Sequence, residues 1–124
     1  MVTVGTDIIE VERIGKAIEK YQKFQSHIYT TREIEYCQKK PNTEEHFAGR
    51  FAGKEAVKKA IMSMDTSIQH IPFNSIEILN EENGKPYVSL LKQKYSDYLK
   101  KYQLEISISH IKKVATATAI MEKI

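Results

Sequence analysis

Cysteine is almost missing from this chain: Cys37 is the only one in 124 residues. A single thiol cannot close an internal disulfide, so the composition fits a reducing, cytoplasmic setting. Long apolar runs are missing as well. No stretch approaches the roughly 20 residues that span a bilayer, so no membrane insertion is expected. The opening "MVTVGTDIIEVERI" shows no basic leader followed by an apolar block, and no signal peptide is expected there. The four histidines, His27, His46, His70 and His110, lack zinc-ligand spacings. No Walker sequence, no G-x-G-x-x-G and no G-x-S-x-G occurs. Internal repeats, low-complexity tracts and linkers are also absent. Cys37 lies in the helical stretch "REIEYCQKK" and reads as a small half-buried apolar residue, not a nucleophile.

What is there is an ordinary globular composition, 41% hydrophobic and 28% charged. The length suits one domain over residues 1–124 with a modest core. The net charge of +3 permits an acidic partner or a phosphorylated ligand but does not demand nucleic acid.

"VTVGTDIIEV" alternates like a strand. Val2, Val4, Thr6 and Ile8 share one face; Thr3, Gly5, Asp7 and Ile9 share the other. Asp7 therefore lies opposite the valines, two residues from a glycine that lets something approach closely. "EVERIGKAIEKYQKF" reads as a helix with an apolar stripe (Ile14, Ala17, Ile18, Tyr21) and a basic one (Arg13, Lys16, Lys20, Lys23). "TTREIEYCQKK" opens on a capping box, Thr30 with Glu33, and Pro41 ends it. Asn42 is placed to cap a long central helix from about Thr43 to about Met64, with Glu45 at its third position. Residues 64–74 read as one irregular surface loop. "IEILN", "EENG" and "KPYVSL" make a hairpin over Ile76 to Leu90, with Asn83-Gly84 as its turn. "LLKQKYSDYLKKY" reads as an amphipathic helix, and "LEISISH" and "KVATATAIMEKI" as strands. The expected class is α+β, a largely antiparallel sheet packed against the long central helix.

Within "HFAGRFAGKEAVKKAIM", Ala48, Phe51, Ala52 and Met62 share a stripe with Glu55. A carboxylate among apolar groups needs a partner. Lys59, one turn on, is the plain one. The chemical alternative makes Glu55 a metal ligand or an acid/base group at a cleft edge. Asp7 and Glu55 could meet if the central helix packs on the sheet, and paired carboxylates suit Mg²⁺. Arg50, Lys54, Lys58 and Lys59 lie on the same helix, and cations beside two acids are what a phosphate–metal site requires. They also read as a solvated face. In "SISH", Ser109 and His110 are strand neighbours and point to opposite faces, which disfavours a Ser–His catalytic pair.

"GTDIIEVERI" from Gly5, "RFAGKEAVKKA" from Arg50, "NGKPYV" from Asn83 and "SISH" from Ser107 occur in this order. Together they resemble the holo-[acyl-carrier-protein] synthase family, the small single-domain class of 4′-phosphopantetheinyl transferases. The resemblance covers essentially the whole chain. It implies the 4′-phosphopantetheinyl transferase-like fold. The implied reaction moves phosphopantetheine from coenzyme A to a serine of apo acyl carrier protein, releases adenosine 3′,5′-bisphosphate and serves fatty acid biosynthesis. By this resemblance Asp7 and Glu55 bind Mg²⁺ and, with Lys59 near the phosphates, form the catalytic set. Arg50, Lys54, Lys59, Gly84, Lys85, Pro86, Ser109 and His110 line the coenzyme A site. Arg13, with Lys16 and Lys20, receives the acidic carrier protein. The resemblance also implies a homotrimer with active sites between subunits. The base that activates the carrier serine stays open among metal-bound water, Asp7 and Lys59. One departure stands out: no glycine occurs between Gly53 and Gly84, where the family has a glycine-containing turn.

Two other readings compete. A small basic nucleic-acid-binding domain would interleave exposed aromatics with cations, whereas Tyr21, Tyr95 and Tyr98 fall at apolar-periodic positions. An inactive trimeric scaffold would have no use for Asp7, Glu55, Lys59 and His110 together.

Overall fold

The structure, a computed structural model, describes residues 1–124. Its elements run β1 (Val2–Glu10), α1 (Val11–Lys20), α2 (Phe24–Ile28), α3 (Thr31–Gln38), α4 (Thr43–Met64), β2 (Ile76–Asn80), β3 (Pro86–Leu90), α5 (Gln93–Ser96), α6 (Tyr98–Lys101), β4 (Tyr102–His110) and β5 (Val114–Lys123). The expected α+β class holds, but the strands form two antiparallel sheets: β1-β5-β4, and the β2-β3 hairpin.

Helix α4 lies on the inner face of the larger sheet, and small residues bring the two together. The inward positions of β5 are Ala115, Ala117, Ala119 and Met121, all buried. Helix α4 answers with Ala52, Ala56 and Ala60, each fully buried. The closest approach is at Gly5, where a Cβ would sit 1.8 Å from the Ala56 carbonyl oxygen. Thr3, on the same face, donates its hydroxyl to the Ala60 carbonyl at 2.8 Å. Around this seam Val57, Ile61, Ile71, Ile76 and Ile78 are fully buried. Burying one such side chain stabilises the fold by about 1.5–3 kcal/mol.

A second cluster, with Tyr29, Cys37, Phe47 and Ala48 among its members, fills the space between α1, α3 and the start of α4. Burial pushes the Cys37 thiol up to about 12, which suits packing and not nucleophilic chemistry. The two clusters are bridged by a buried ion pair, Lys54 Nζ to Glu33 Oε1 at 2.6 Å. Lys54 also donates to the carbonyls of Phe73 (3.0 Å) and Ile76 (2.6 Å). Glu33 in turn accepts from the Ile78 amide at 2.9 Å.

Several local expectations give way to packing. The first helix ends at Lys20, and Tyr21 is extended and exposed. The chain restarts as α2, which turns Phe24 and Ile28 onto the second cluster. Lys23 therefore leaves the basic stripe, and Tyr21 is not a packing residue. The Thr30–Glu33 capping box is present. Asn42 makes no capping bond; the Thr43 hydroxyl reaches back to the Lys40 carbonyl at 2.6 Å instead. The segment 65–72 is irregular as expected, but Ile71 within it is fully buried, and Phe73–Ser75 forms a 3-10 turn. The expected helix at 90–102 is broken into α5 and α6. Two tyrosines three residues apart must reach different points: Tyr95 the His70 carbonyl, Tyr98 the Asp65 carboxylate. The hairpin forms as expected, with Gly84 at φ 88°, a conformation glycine adopts without strain.

Gly5→Ala is expected to destabilise the protein by at least about 3 kcal/mol, the upper range for overpacking, because both partners are backbone and cannot yield. Urea unfolding measures this; an unchanged midpoint would mean that strand and helix do not touch there.

Candidate active site

Alternation turns Asp7 inward from β1, and helical phase turns Glu55 toward the same place from α4. The Gly5–Ala56 contact, one helix position from Glu55, closes the distance. The side chain of Asp7 is 17% exposed and that of Glu55 27%. One Asp7 oxygen, Oδ2, is buried without any hydrogen-bond partner. The Asp7 carboxyl is held above the usual carboxylate range, first by burial and further by the charge of Glu55; Lys59 opposes both. Two acids thus face one spot, at a cost that nothing in the core explains.

The cations are shared out differently from the sequence expectation. Glu55 pairs with Lys58, at 3.5 Å, and not with Lys59. Lys59 stands 3.7 Å from Asp7 Oδ1 and donates to the Thr6 carbonyl at 2.8 Å, with half of its side chain in solvent. It crosses from helix to strand, so its partner is on β1 and not one turn away. Asp7, Glu55 and Lys59 therefore converge as expected.

Arg50 starts a second group. Five residues before Glu55, it points about 140° away around the helix. Its guanidinium is buried, lies 4.1 Å from the Tyr36 ring centroid, and leaves Nε without a partner. One Nη donates to Asn80, which in turn donates to the Gly84 carbonyl at 2.8 Å. The arginine thereby fixes the hairpin turn that carries Gly84, Lys85 and Pro86. Lys85 reaches Glu105 on β4 at 3.4 Å. His110 faces α4, with Nδ1 3.0 Å from Glu45 Oε1 and its ring edge-on to His46 at 4.9 Å. The His46 imidazole is held below its usual range by burial, then by His110 and Arg50. Ser109 points to the opposite sheet face, so no Ser–His pair exists. Asn80, Tyr36, His46 and Glu45 carry no motif and were not among the expected site residues.

Lys54 is the one expected ligand residue that the fold takes away. Its ammonium is fully buried among Glu33 and two carbonyls. It has no face left for coenzyme A and is a structural cation. On α1, Arg13, Lys16 and Lys20 are all exposed, and Lys16 pairs with Glu12 at 2.9 Å.

The carboxylate pair suits a hard divalent cation. Mg²⁺ typically takes one or two protein carboxylates and fills its shell with waters and substrate phosphates. The unpartnered Asp7 oxygen is the atom that such an ion would satisfy.

Residues 3–119 match the model of the 4′-phosphopantetheinyl transferase superfamily. A Fusobacterium nucleatum protein named holo-[acyl-carrier-protein] synthase is 46% identical, over 98% of both chains. A crystal structure of a holo-(acyl-carrier-protein) synthase from Bacillus anthracis, in complex with CoA (3′,5′-ADP), is 33% identical. It superposes with a TM-score of 0.78 over 98% of this chain and 96% of that one. The ACPS–CoA complex of Chronobacterium ammoniagenes shares the fold, with a TM-score of 0.87 at 23% identity, over 100% of this chain and 98% of that one.

Asp7→Asn is expected to raise the melting temperature of the protein in chelator by a few degrees, because it removes a desolvated charge. Added Mg²⁺ should stabilise the native chain more than the variant. Calorimetry in chelator and in Mg²⁺ reads both; a variant less stable in chelator would show that Asp7 is a structural acid.

Proposed function

This chain belongs to the holo-[acyl-carrier-protein] synthase family of 4′-phosphopantetheinyl transferases, and from that premise we propose how its residues carry the transfer. The reaction moves 4′-phosphopantetheine from coenzyme A to a serine of apo acyl carrier protein and leaves adenosine 3′,5′-bisphosphate. Asp7 and Glu55 hold Mg²⁺, and the observation that carries this reading is the convergence of the two acids with one Asp7 oxygen buried and unpartnered. When bound, the ion would neutralise charge on the transferring phosphoryl group and on the departing bisphosphate.

Lys59, half in solvent and anchored on the Thr6 carbonyl, adds a positive charge beside the pyrophosphate. Arg50 is the buried cation of the nucleotide half. Its free Nε and its tether to the hairpin through Asn80 support a role in setting the turn 84–86 against coenzyme A. His110 belongs to the same half. There its Nδ1 meets the Glu45 carboxylate and its ring meets His46.

The outward face of the larger sheet supports a homotrimer. It presents Val2, Val4, Ile8 and Ile120, all exposed, and a second copy is the natural cover for such a face. Ser109 is on that face and His110 on the other, so the "SISH" end can serve a site at a subunit boundary. The exposed cations Arg13, Lys16 and Lys20 support docking of the acidic carrier protein on α1. No helix is long and apolar enough to cross a membrane. Supply of holo carrier protein for fatty acid synthesis is the role that the family resemblance implies.

The direct test is a mass spectrum of apo acyl carrier protein after incubation with this protein, coenzyme A and Mg²⁺. The expected result is a gain of one phosphopantetheine, lost in chelator and lost in Glu55→Gln; wild-type turnover by that folded variant would overturn the metal assignment. Arg13→Glu should raise KM for the carrier protein, and the defect should shrink with added salt, because charges at a rim mainly steer encounter. If neither KM nor its salt dependence moved, α1 would not be the docking helix.

A further inference from the structure

One cation on α4 has no role so far. Lys58 pairs with Glu55 at 3.5 Å, yet its side chain is only 15% exposed. Its ammonium rests 4.0 Å from the centroid of the Phe73 ring. Phe73 is fixed once at its ring and once at its backbone. It stacks on Phe51, with centroids 5.2 Å apart and planes 19° from parallel, and the Phe73 carbonyl accepts from buried Lys54 at 3.0 Å. Lys58 is thus not a loose surface lysine. To leave Glu55 it must also leave an aromatic face that attracts it.

The two acids therefore carry one lysine each, from adjacent helix positions. Lys59 is half exposed and has a second anchor on a carbonyl. Lys58 is shielded, and its anchor is a ring that compensates the charge only in part. A divalent cation approaching Asp7 and Glu55 meets the Lys58 ammonium on Glu55 itself, where little water screens the repulsion. A pyrophosphate arriving with the cation brings the negative charge that reverses this balance.

We infer that Lys58, seated on Phe73, is a positioning residue: the resident counter-charge of Glu55, which keeps divalent-cation binding weak until a pyrophosphate is present. The inference rests on the reading of Asp7 and Glu55 as the metal-binding pair. It also gives the glycine-free segment between Gly53 and Gly84 a task, because Phe73 is where that segment returns to the helix.

The test is Mn²⁺ binding to the full chain, followed by electron paramagnetic resonance, with and without coenzyme A. Without coenzyme A, Lys58→Met is expected to bind Mn²⁺ about three- to tenfold more tightly, the size of one close charge–charge coupling. Lys58→Arg should stay close to the native value. Phe73→Leu should tighten binding part of the way, because Lys58 loses its seat, and Lys58→Met added to it should reach the value of Lys58→Met alone. With coenzyme A present, the gap between native chain and Lys58→Met should narrow. Affinity in folded Lys58→Met that is unchanged within twofold, or weaker, overturns the inference. Glu55→Gln separates the two failures. If it abolishes Mn²⁺ binding while Lys58→Met changes nothing, only the role of Lys58 falls. If Glu55→Gln still binds Mn²⁺ like the native chain, the carboxylate site itself is wrong and the inference falls with it.

Discussion

The contact between Gly5 and the carbonyl of Ala56 is the constraint from which the active site follows. A strand and a helix normally keep a layer of side chains between them. Here the strand offers no Cβ, and the neighbouring strand β5 offers alanines. The helix drops onto the sheet until backbone meets backbone. Asp7 is two residues from that point along the strand, and Glu55 is one residue from it along the helix. Their carboxylates are brought together by the packing that builds the core. The price is an acid with raised pKa and an oxygen without a partner, a local cost that a functional site can carry when the surrounding core over-determines it.

The other half of the molecule is organised by a buried charge. Lys54, Glu33 and the carbonyls of Phe73 and Ile76 tie α4, α3 and the root of the hairpin to one another. Removing one partner of such a pair typically costs about 3–5 kcal/mol, because the other charge is left stranded. Arg32 and Thr30 extend the network to Glu77, at 2.6 Å each. Arg50 and Asn80 make a separate polar link from α4 to the turn at Gly84. Core and ligand loop are thus connected by polar contacts at both ends of the hairpin.

The parts of this arrangement that were legible in the sequence are those governed by local periodicity. Alternation put Asp7 opposite the valines, helical phase put Glu55 toward the sheet, and Asn83-Gly84 marked the turn. The motifs then supplied the family. What escaped depends on residues far apart in the chain. Glu33 and Lys54 are each unremarkable where they stand, and only the fold makes them a buried pair. Lys59 was matched with Glu55 because spacing sees the helix alone; the strand that passes beneath it offers Asp7 instead. The helix expected at 90–102 had the right period, but the hydroxyls of Tyr95 and Tyr98 serve two separate anchors. One continuous helix would not take both there.

The small-residue seam has a consequence for how such a protein can change. A larger side chain at Ala52, Ala56 or Ala60 finds Gly5 or a β5 alanine already in contact, and none of these has volume to give up. Single substitutions along the seam are therefore blocked in both directions, and an accepted change would need a compensating one on the facing element. Drift is free on the surface helices but coupled across the seam. The spacing of the two carboxylates is consequently inherited together with the core as one unit, and cannot be tuned by itself.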